Sequence, residues 1–360
     1  MTTSASPSHA QQSRAAIARA RVLICRTDNI GDVVLTLPLA GYLKQRFPGF
    51  RISFLCRGYA APVVRCCTAV DEVIEVETLD DPVAYFARAG FDVIIFSKPD
   101  KHLAKAAKAA RIPQRVGTSH RWYHWLYANR LAHFSRVKSN LHEAQLNFAL
   151  LRPLGIKHMP ALEDIVPLYS LRAPLYQREP GIDTGDFNLV LHPKSNGNGR
   201  EWPLAHYTEL ARLLQRHADV RIWVTGSKAE GAGLAEDAQE LLAMPNVMDV
   251  CGRFDLGELA AFINLADGLV ASGTGPMHLS AALGRATLGL FPPVRPIDPG
   301  RWGALGARAT SLAQEQPCNG CNDAACCSCM VSITPEQVAD VVLGWRAQKR
   351  AGKPVLPGAV

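Results

Sequence analysis

The stretch Val22-Leu-Ile-Cys-Arg-Thr-Asp-Asn-Ile-Gly-Asp-Val-Val-Leu-Thr-Leu-Pro-Leu39 decides the architecture of this chain. Its apolar run, Val22 to Cys25, reads as a buried strand that breaks into a polar turn ending at Gly31. From Asp32 the pattern predicts an amphipathic helix reaching Phe47. Glycine at the turn lets backbone and ligand approach closely. Ligands of open α/β sheets bind beyond the carboxyl ends of the strands, so a carboxylate at Asp32 is placed to take a proton from one. The structural alternative makes Asp32 a helix cap. Asp28 or Asn29 could cap instead and leave Asp32 to chemistry, Asp28 otherwise being a turn residue.

Outward from that stretch, strand-like runs at Ile52–Cys56, Val73–Val76, Val93–Phe96 and near Val116 alternate with helical stretches at Pro62–Cys67, Pro82–Ala89 and His102–Ala110. Such a βαβα series predicts a parallel sheet covered on both faces. Residues 118–140 break the rhythm with a basic and aromatic run, His120-Arg-Trp-Tyr-His-Trp125. It reads as an irregular excursion with snorkelling side chains. A face for a partner, a membrane headgroup or a substrate is the alternative. After a helix over Leu141–Leu154, the Pro- and Gly-rich residues 155–186 read as a linker. A second series then runs through strands Leu189–His192, Arg221–Thr225, Val247–Val250, Gly268–Ala271 and Thr287–Phe291. Thr334-Pro-Glu-Gln337 opens a C-terminal helix with a capping-box signature.

Composition bounds the function classes. With 360 residues, 48% hydrophobic and 20% charged, the chain has room for two ordinary domains. A net charge of +7 suits an anionic ligand or membrane surface but is too diffuse to argue for nucleic acid, and no nucleic-acid motif accompanies it. No apolar run is long enough to span a bilayer. Residues 1–20 lack acidic residues and a long apolar core, and read as a disordered tail. Ten cysteines without a secretory signal predict reduced thiols and a cytoplasmic setting.

Two strand-to-helix loops in the second half carry ligand chemistry. His192-Pro-Lys-Ser-Asn-Gly-Asn-Gly-Arg-Glu-Trp-Pro203 supplies Lys194, Ser195 and Arg200 around two glycines, and Ala271-Ser-Gly-Thr-Gly-Pro-Met-His-Leu279 supplies Gly273, Thr274, Gly275 and His278. Converging donors before a helix suit a phosphate. The bland readings are a solvated loop with Trp202 packed on the domain, and a satisfied core histidine. Cys318, Cys321, Cys326, Cys327 and Cys329 could ligate zinc, four at a time (Cys318, Cys321, Cys326, Cys329), but the spacing fits no common finger, and thiols or a local disulfide are favoured.

In this order, several blocks resemble glycosyltransferase family 9, the lipopolysaccharide heptosyltransferases. They are R-T-D-N-I-G-D-V-V-L-T-L-P, F-P-G-F-R-I, V-D-E-V-I-E-V, L-V-L-H-P with R-E-W-P, S-G-T-G-P-M-H-L-S-A-A-L-G, and the cysteines before I-T-P-E-Q-V. The resemblance runs from Val22 to Val338. It implies a GT-B-type α/β fold, two Rossmann-like doubly wound domains facing across a cleft. Residues 21–154 would bind the acceptor, 187–333 the nucleotide sugar, and 334–360 would form a closing helix and tail. The implied reaction moves heptose from ADP-heptose, or another sugar from its nucleotide, onto a lipopolysaccharide-core or related glycan at the inner face of the cytoplasmic membrane. It inverts the anomeric centre and requires no cofactor or metal. Asp32 would be the base, with Asn29 and Gly31 beside the acceptor. Arg200 would meet the diphosphate, and Lys194, Ser195, Gly273, Thr274, Gly275 and His278 the rest of the donor. The family usually has D-T-G where this chain has Gly273-Thr274-Gly275, which puts the choice of sugar in question. A non-catalytic sugar-nucleotide binder and a nucleotide-sugar epimerase are the competing readings. A dehydrogenase is disfavoured, because the first turn lacks G-x-G-x-x-G.

Overall fold

The computed structural model describes residues 19–177, 181–195, 197, 199–314, 318 and 327–352. Most of the expected N-terminal tail, and Cys321 and Cys326, lie outside the described residues. Two six-stranded sheets, parallel throughout, make up the core of the molecule. The first contains β1 (Arg21–Cys25), β2 (Arg51–Cys56), β3 (Glu72–Glu75), β4 (Val93–Phe96), β5 (Gln114–Thr118) and β6 (Arg130–Ala132), in the order β3-β2-β1-β4-β5-β6. The second contains β7 (Phe187–His192), β8 (Val220–Val224), β9 (Val247–Asp249), β10 (Gly268–Ala271), β11 (Ala286–Phe291) and β12 (Ala309–Ala313), in the order β9-β8-β7-β10-β11-β12. Each half therefore repeats one doubly wound topology, with its first strand at the point where the strand order reverses. There Val22 pairs with Ile52 on one side and Val93 on the other, as Leu189 pairs with Ile222 and Gly268.

The central strands β4, β7, β10 and β11 are buried along their whole length because helices cover both faces, which is why they read as unbroken apolar runs. The helix expected over Asp32–Phe47 is two helices, α1 (Ile30–Val34) and α2 (Leu37–Arg46). Pro38 has no N–H with which to continue the ladder, so the chain turns at Leu35 and Thr36. The cap position of α1 falls on Asn29, which places Asp32 inside the first turn.

Residues 118–140 also differ from the expected irregular excursion. After α3 (Lys101–Ala109) and β5, they form α4 (Trp122–Tyr127) and the edge strand β6. The helix expected over Leu141–Leu154 is α5 (Glu143–Phe148), tightening into a 3-10 turn around Pro153. The segment read as a linker holds a short helix, Leu162–Ile165, and a 3-10 turn, Val166–Tyr169, laid on α2. A Cβ at Gly41 would sit 1.9 Å from the Leu168 carbonyl oxygen, so this contact requires glycine. In the second half, α6 (Gly275–Ala282) follows β10 and α7 (Pro299–Trp302) precedes β12. The chain's last helix, α8 (Pro335–Arg350), begins with the predicted capping box, Thr334 and Gln337 bonding each other's backbone N–H. Its Trp345 is fully buried against β10 at Gly268.

Candidate active site between the two sheets

Arg26 leaves the carboxyl end of β1 and is almost wholly buried. Burying a guanidinium is costly unless it is paired and bonded. Its Nε donates to Asp28 at 2.7 Å, one Nη to Asp32 and the other to Glu143 at 3.2 Å. Glu143, only 1% exposed at the start of α5, also accepts from Arg136 and, at 2.5 Å, from Arg301 of α7. Three guanidiniums and three carboxylates thus balance in one cluster, and Arg301 reaches it from the second half of the chain. His142 crosses beside it, its Nε2 lying 3.0 Å from the Gly303 carbonyl oxygen.

Burial pushes the Asp32 carboxyl above its ordinary value, against the pull of Arg26. Burial and the neighbouring Arg26 and Arg301 push Arg136 down to about 9, still charged at neutral pH. The desolvated imidazole of His142 falls to about 4. His278, on α6, falls to about 3 through complete burial and the nearby His142. Both rings are therefore neutral at pH 7.

The second half places its loops at the matching point of the other sheet. After β7, Glu201 ties back to Ser195 and Lys194. It accepts from the Ser195 N–H at 2.7 Å and hydroxyl at 3.1 Å, and Lys194 Nζ lies 3.5 Å away. Trp202 is buried and anchors the end of the loop, its N–H donating to Ser272 Oγ at 3.0 Å and its indole to the Ile333 carbonyl at 2.8 Å. After β10, Gly273 adopts φ +45°, a left-handed conformation, and a Cβ there would stand 3.1 Å from the Phe291 ring. Among the described residues, the buried hydroxyl of Thr274 and Nδ1 of His278 find no hydrogen-bond partner. Thr274 caps α6 and His278 lies inside it, and both residues line the cleft described below.

The halves meet where α1 packs on α6. A Cβ at Gly31 would lie 2.8 Å from the His278 ring, and one at Gly275 would lie 2.0 Å from Ile30 Cγ2. Beside this contact opens a cleft of about 820 Å³. Its walls bring together Asn29, Gly31 and Asp32 from one side with Lys194, Ser195, Arg200, Gly273, Thr274, Gly275 and His278 from the other. These are all the residues the family resemblance assigned to donor, acceptor or base. Arg26, Arg136, Glu143 and Arg301 were not foreseen. Only Arg26, directly after the strand at the sheet's reversal point, carries a local signal that could have found it.

The model of glycosyltransferase family 9 (heptosyltransferase) matches residues 88–330, more than half of the chain. The chain belongs to this family. As a family 9 member it is a glycosyltransferase. It is 28% identical to a presumed glycosyltransferase of Haemophilus influenzae, over 78% of this chain and 85% of that protein. It is 27% identical to lipopolysaccharide heptosyltransferase 1 of Pseudomonas aeruginosa, over 85% of this chain and 87% of the relative. Its fold matches that of E. coli ADP-heptose LPS heptosyltransferase II with a TM-score of 0.71, at 19% identity, covering 92% of this chain and 99% of that one. Two Rossmann-like domains facing across a cleft, the GT-B arrangement, is therefore the architecture of this family 9 enzyme.

Cys327 and Cys329 are buried in the second core, and Cys318 packs against it. No metal-binding group of His, Cys, Asp or Glu occurs among the described residues, and two of the four candidate zinc ligands fall outside them.

Proposed function

We propose that this enzyme transfers heptose from ADP-heptose onto a lipopolysaccharide-core or related cell-envelope glycolipid, inverting the anomeric centre without a metal. The carrying observation is the position of Asp32, a carboxylate lining the cleft on the helix that touches the orphan-bearing helix α6. The acceptor hydroxyl attacks the anomeric carbon from the face opposite the diphosphate. As the new C–O bond forms and the bond to the phosphate oxygen breaks, Asp32 accepts the hydroxyl proton. Its raised affinity for a proton makes it a stronger base than an exposed carboxylate. Arg26 orients it, while Asn29 and Gly31 flank the acceptor.

The leaving diphosphate gathers negative charge. Arg200, Lys194, the Ser195 loop, the Thr274 hydroxyl and the amides opening α6 at Gly275 are disposed to stabilise it. Neutral His278 offers a ring nitrogen without repelling a cationic neighbour. These fixed cations and donors supply the charge stabilisation that a divalent ion provides elsewhere. The names of the relatives, lipopolysaccharide heptosyltransferase 1 and ADP-heptose LPS heptosyltransferase II, support the donor and the acceptor class. With a lipopolysaccharide-core acceptor, we place the reaction at the inner face of the cytoplasmic membrane. One observation favours a second donor sugar: Gly273, beside the Phe291 ring, presents no carboxylate to sugar hydroxyls.

The test is a thermal-shift panel of ADP, UDP, GDP, CDP and ADP-heptose, followed by transfer to a heptose-free core acceptor in the presence of EDTA. A ligand at a hundredfold excess over its Kd should stabilise the fold by about 2.7 kcal/mol. Selective shifts with ADP and ADP-heptose, and product of inverted configuration by NMR, are the expected results. A shift confined to another nucleotide would replace the donor. Transfer abolished by EDTA and restored by a metal would overturn the metal-free mechanism.

A further inference from the structure

We propose that α4, together with the outer face of α3, docks this enzyme on a bilayer containing anionic lipid. The charge distribution is the first observation. From Lys101 to His142 the chain carries nine Lys and Arg residues and no Asp or Glu. The whole chain has a net charge of only +7, so its remainder is slightly acidic and the positive field is concentrated on this flank. Asp100, at the edge of the segment, is engaged as the cap of α3, accepting from the Leu103 N–H at 2.9 Å.

The second observation is apolar. Trp122, Trp125 and Leu126 are 64%, 61% and 52% exposed, three large side chains standing out of one six-residue helix. A soluble face has no use for two exposed indoles, whereas tryptophan at the headgroup level sets an apolar ring into the interface and leaves its N–H polar. The Trp125 indole N–H is already satisfied by the Ser119 carbonyl at 2.9 Å, so the ring can enter an apolar layer without stranding a donor.

The two features share one surface. Lys101, Lys105 and Lys108 recur along the exposed side of α3, which packs beside α4. Lys101 Nζ stands 5.0 Å over the Trp122 ring, and Lys108 donates to the Leu126 carbonyl at 2.8 Å. None of the three lysines has an acidic partner among the described residues. Cations framing exposed aromatics are complementary to phosphate headgroups above acyl chains. A soluble polyanion would match only the charge. Placement fits as well: α3 follows β4 and α4 follows β5, so both start at the carboxyl edge of the first sheet, the edge that carries Asp32. A membrane held on this flank would bring a lipid-anchored acceptor to the cleft, the one point at which the proposal rests on the acceptor class given above.

The experiment is cosedimentation of the full chain with phosphatidylcholine vesicles, with and without phosphatidylglycerol, in the absence of donor and acceptor. Failure of the heptosyl reading therefore leaves its outcome untouched. Binding is expected only to the anionic vesicles, with tryptophan fluorescence quenched by brominated lipid. W122A/W125A and K101E/K105E/K108E should each weaken partitioning by about tenfold or more while keeping the wild-type melting temperature. The lysine variant keeps the test decisive if the tryptophan variant misfolds. Three results would overturn the proposal: no binding to either vesicle, undiminished binding by the folded lysine variant, or heparin binding as tight as vesicle binding with no lipid quenching.

Discussion

The loops after β1 and after β7 occupy the same position in two sheets of the same strand order, yet they treat polar groups in opposite ways. On the β1 side, Arg26, Asp28, Asp32 and Glu143 are tied into a cluster that neutralises itself and reaches Arg301 across the cleft. On the β7 side, and where the neighbouring β10 leads into α6, the Thr274 hydroxyl and the His278 nitrogen have no partner among the described residues. A closed network fixes one carboxylate in place, while an open one leaves polar atoms uncommitted. Topology thus provides two equivalent crevices, and on the proposed function the side chains assign the base to one and the leaving group to the other.

The comparison is broken most directly at Asp32. Asp32→Asn should lower turnover by about 10²- to 10⁴-fold while leaving the thermal shift with ADP unchanged. Because burial already disfavours the charged form, the melting temperature should hold or rise. Near-normal turnover would remove Asp32 from the reaction. Glu143→Gln strikes the closed network itself. It leaves the buried Arg26 and the half-buried Arg136 and Arg301 short of a carboxylate and should cost about 3–5 kcal/mol in urea unfolding. A loss under 1 kcal/mol would mean that the cluster is held by packing alone.

Acid should sharpen the contrast more gently. His142 and His278 have depressed values in the fold, so the unfolded chain binds protons that the folded chain refuses below pH 6.5. Their contribution is whole above that pH. It drains as pH falls toward about 4 for His142 and about 3 for His278, at roughly 1.4 kcal/mol per unit for each. Urea midpoints from pH 7 to 5 would show the slope, and H142Q should flatten it. The smallest effect is expected at the open site: Thr274→Val should weaken ADP binding by about tenfold, yet leave the apo fold as stable or slightly more so. Calorimetric titration with ADP, paired with a melting curve, separates the two.

Strands buried on both faces were legible as apolar runs, and the reversal-point loops as polar, Gly-bearing stretches directly after them. The edge strands β6 and β12 were not, since their partly exposed residues make no such run. The break at Thr36 was foreshadowed by Pro38 but hidden by continuous helical periodicity. At the site, every lining residue singled out came from a local motif. The meeting of Glu143 with Arg26 and Arg301 escaped because it spans separations of 117 and 158 residues, which no spacing rule records.

The glycine contact between α1 and α6 has a consequence for how this enzyme can evolve. Gly31 and Gly275 let α1 and α6 approach until the His278 ring and Ile30 occupy the space a Cβ would need. A single methyl at Gly275, 2.0 Å from Ile30, would act as a wedge between the two halves. Neither glycine carries a functional group, yet both positions should tolerate less variation than many residues that contact the substrate. The permitted sequence there is set by how closely two helices from different halves of the chain approach.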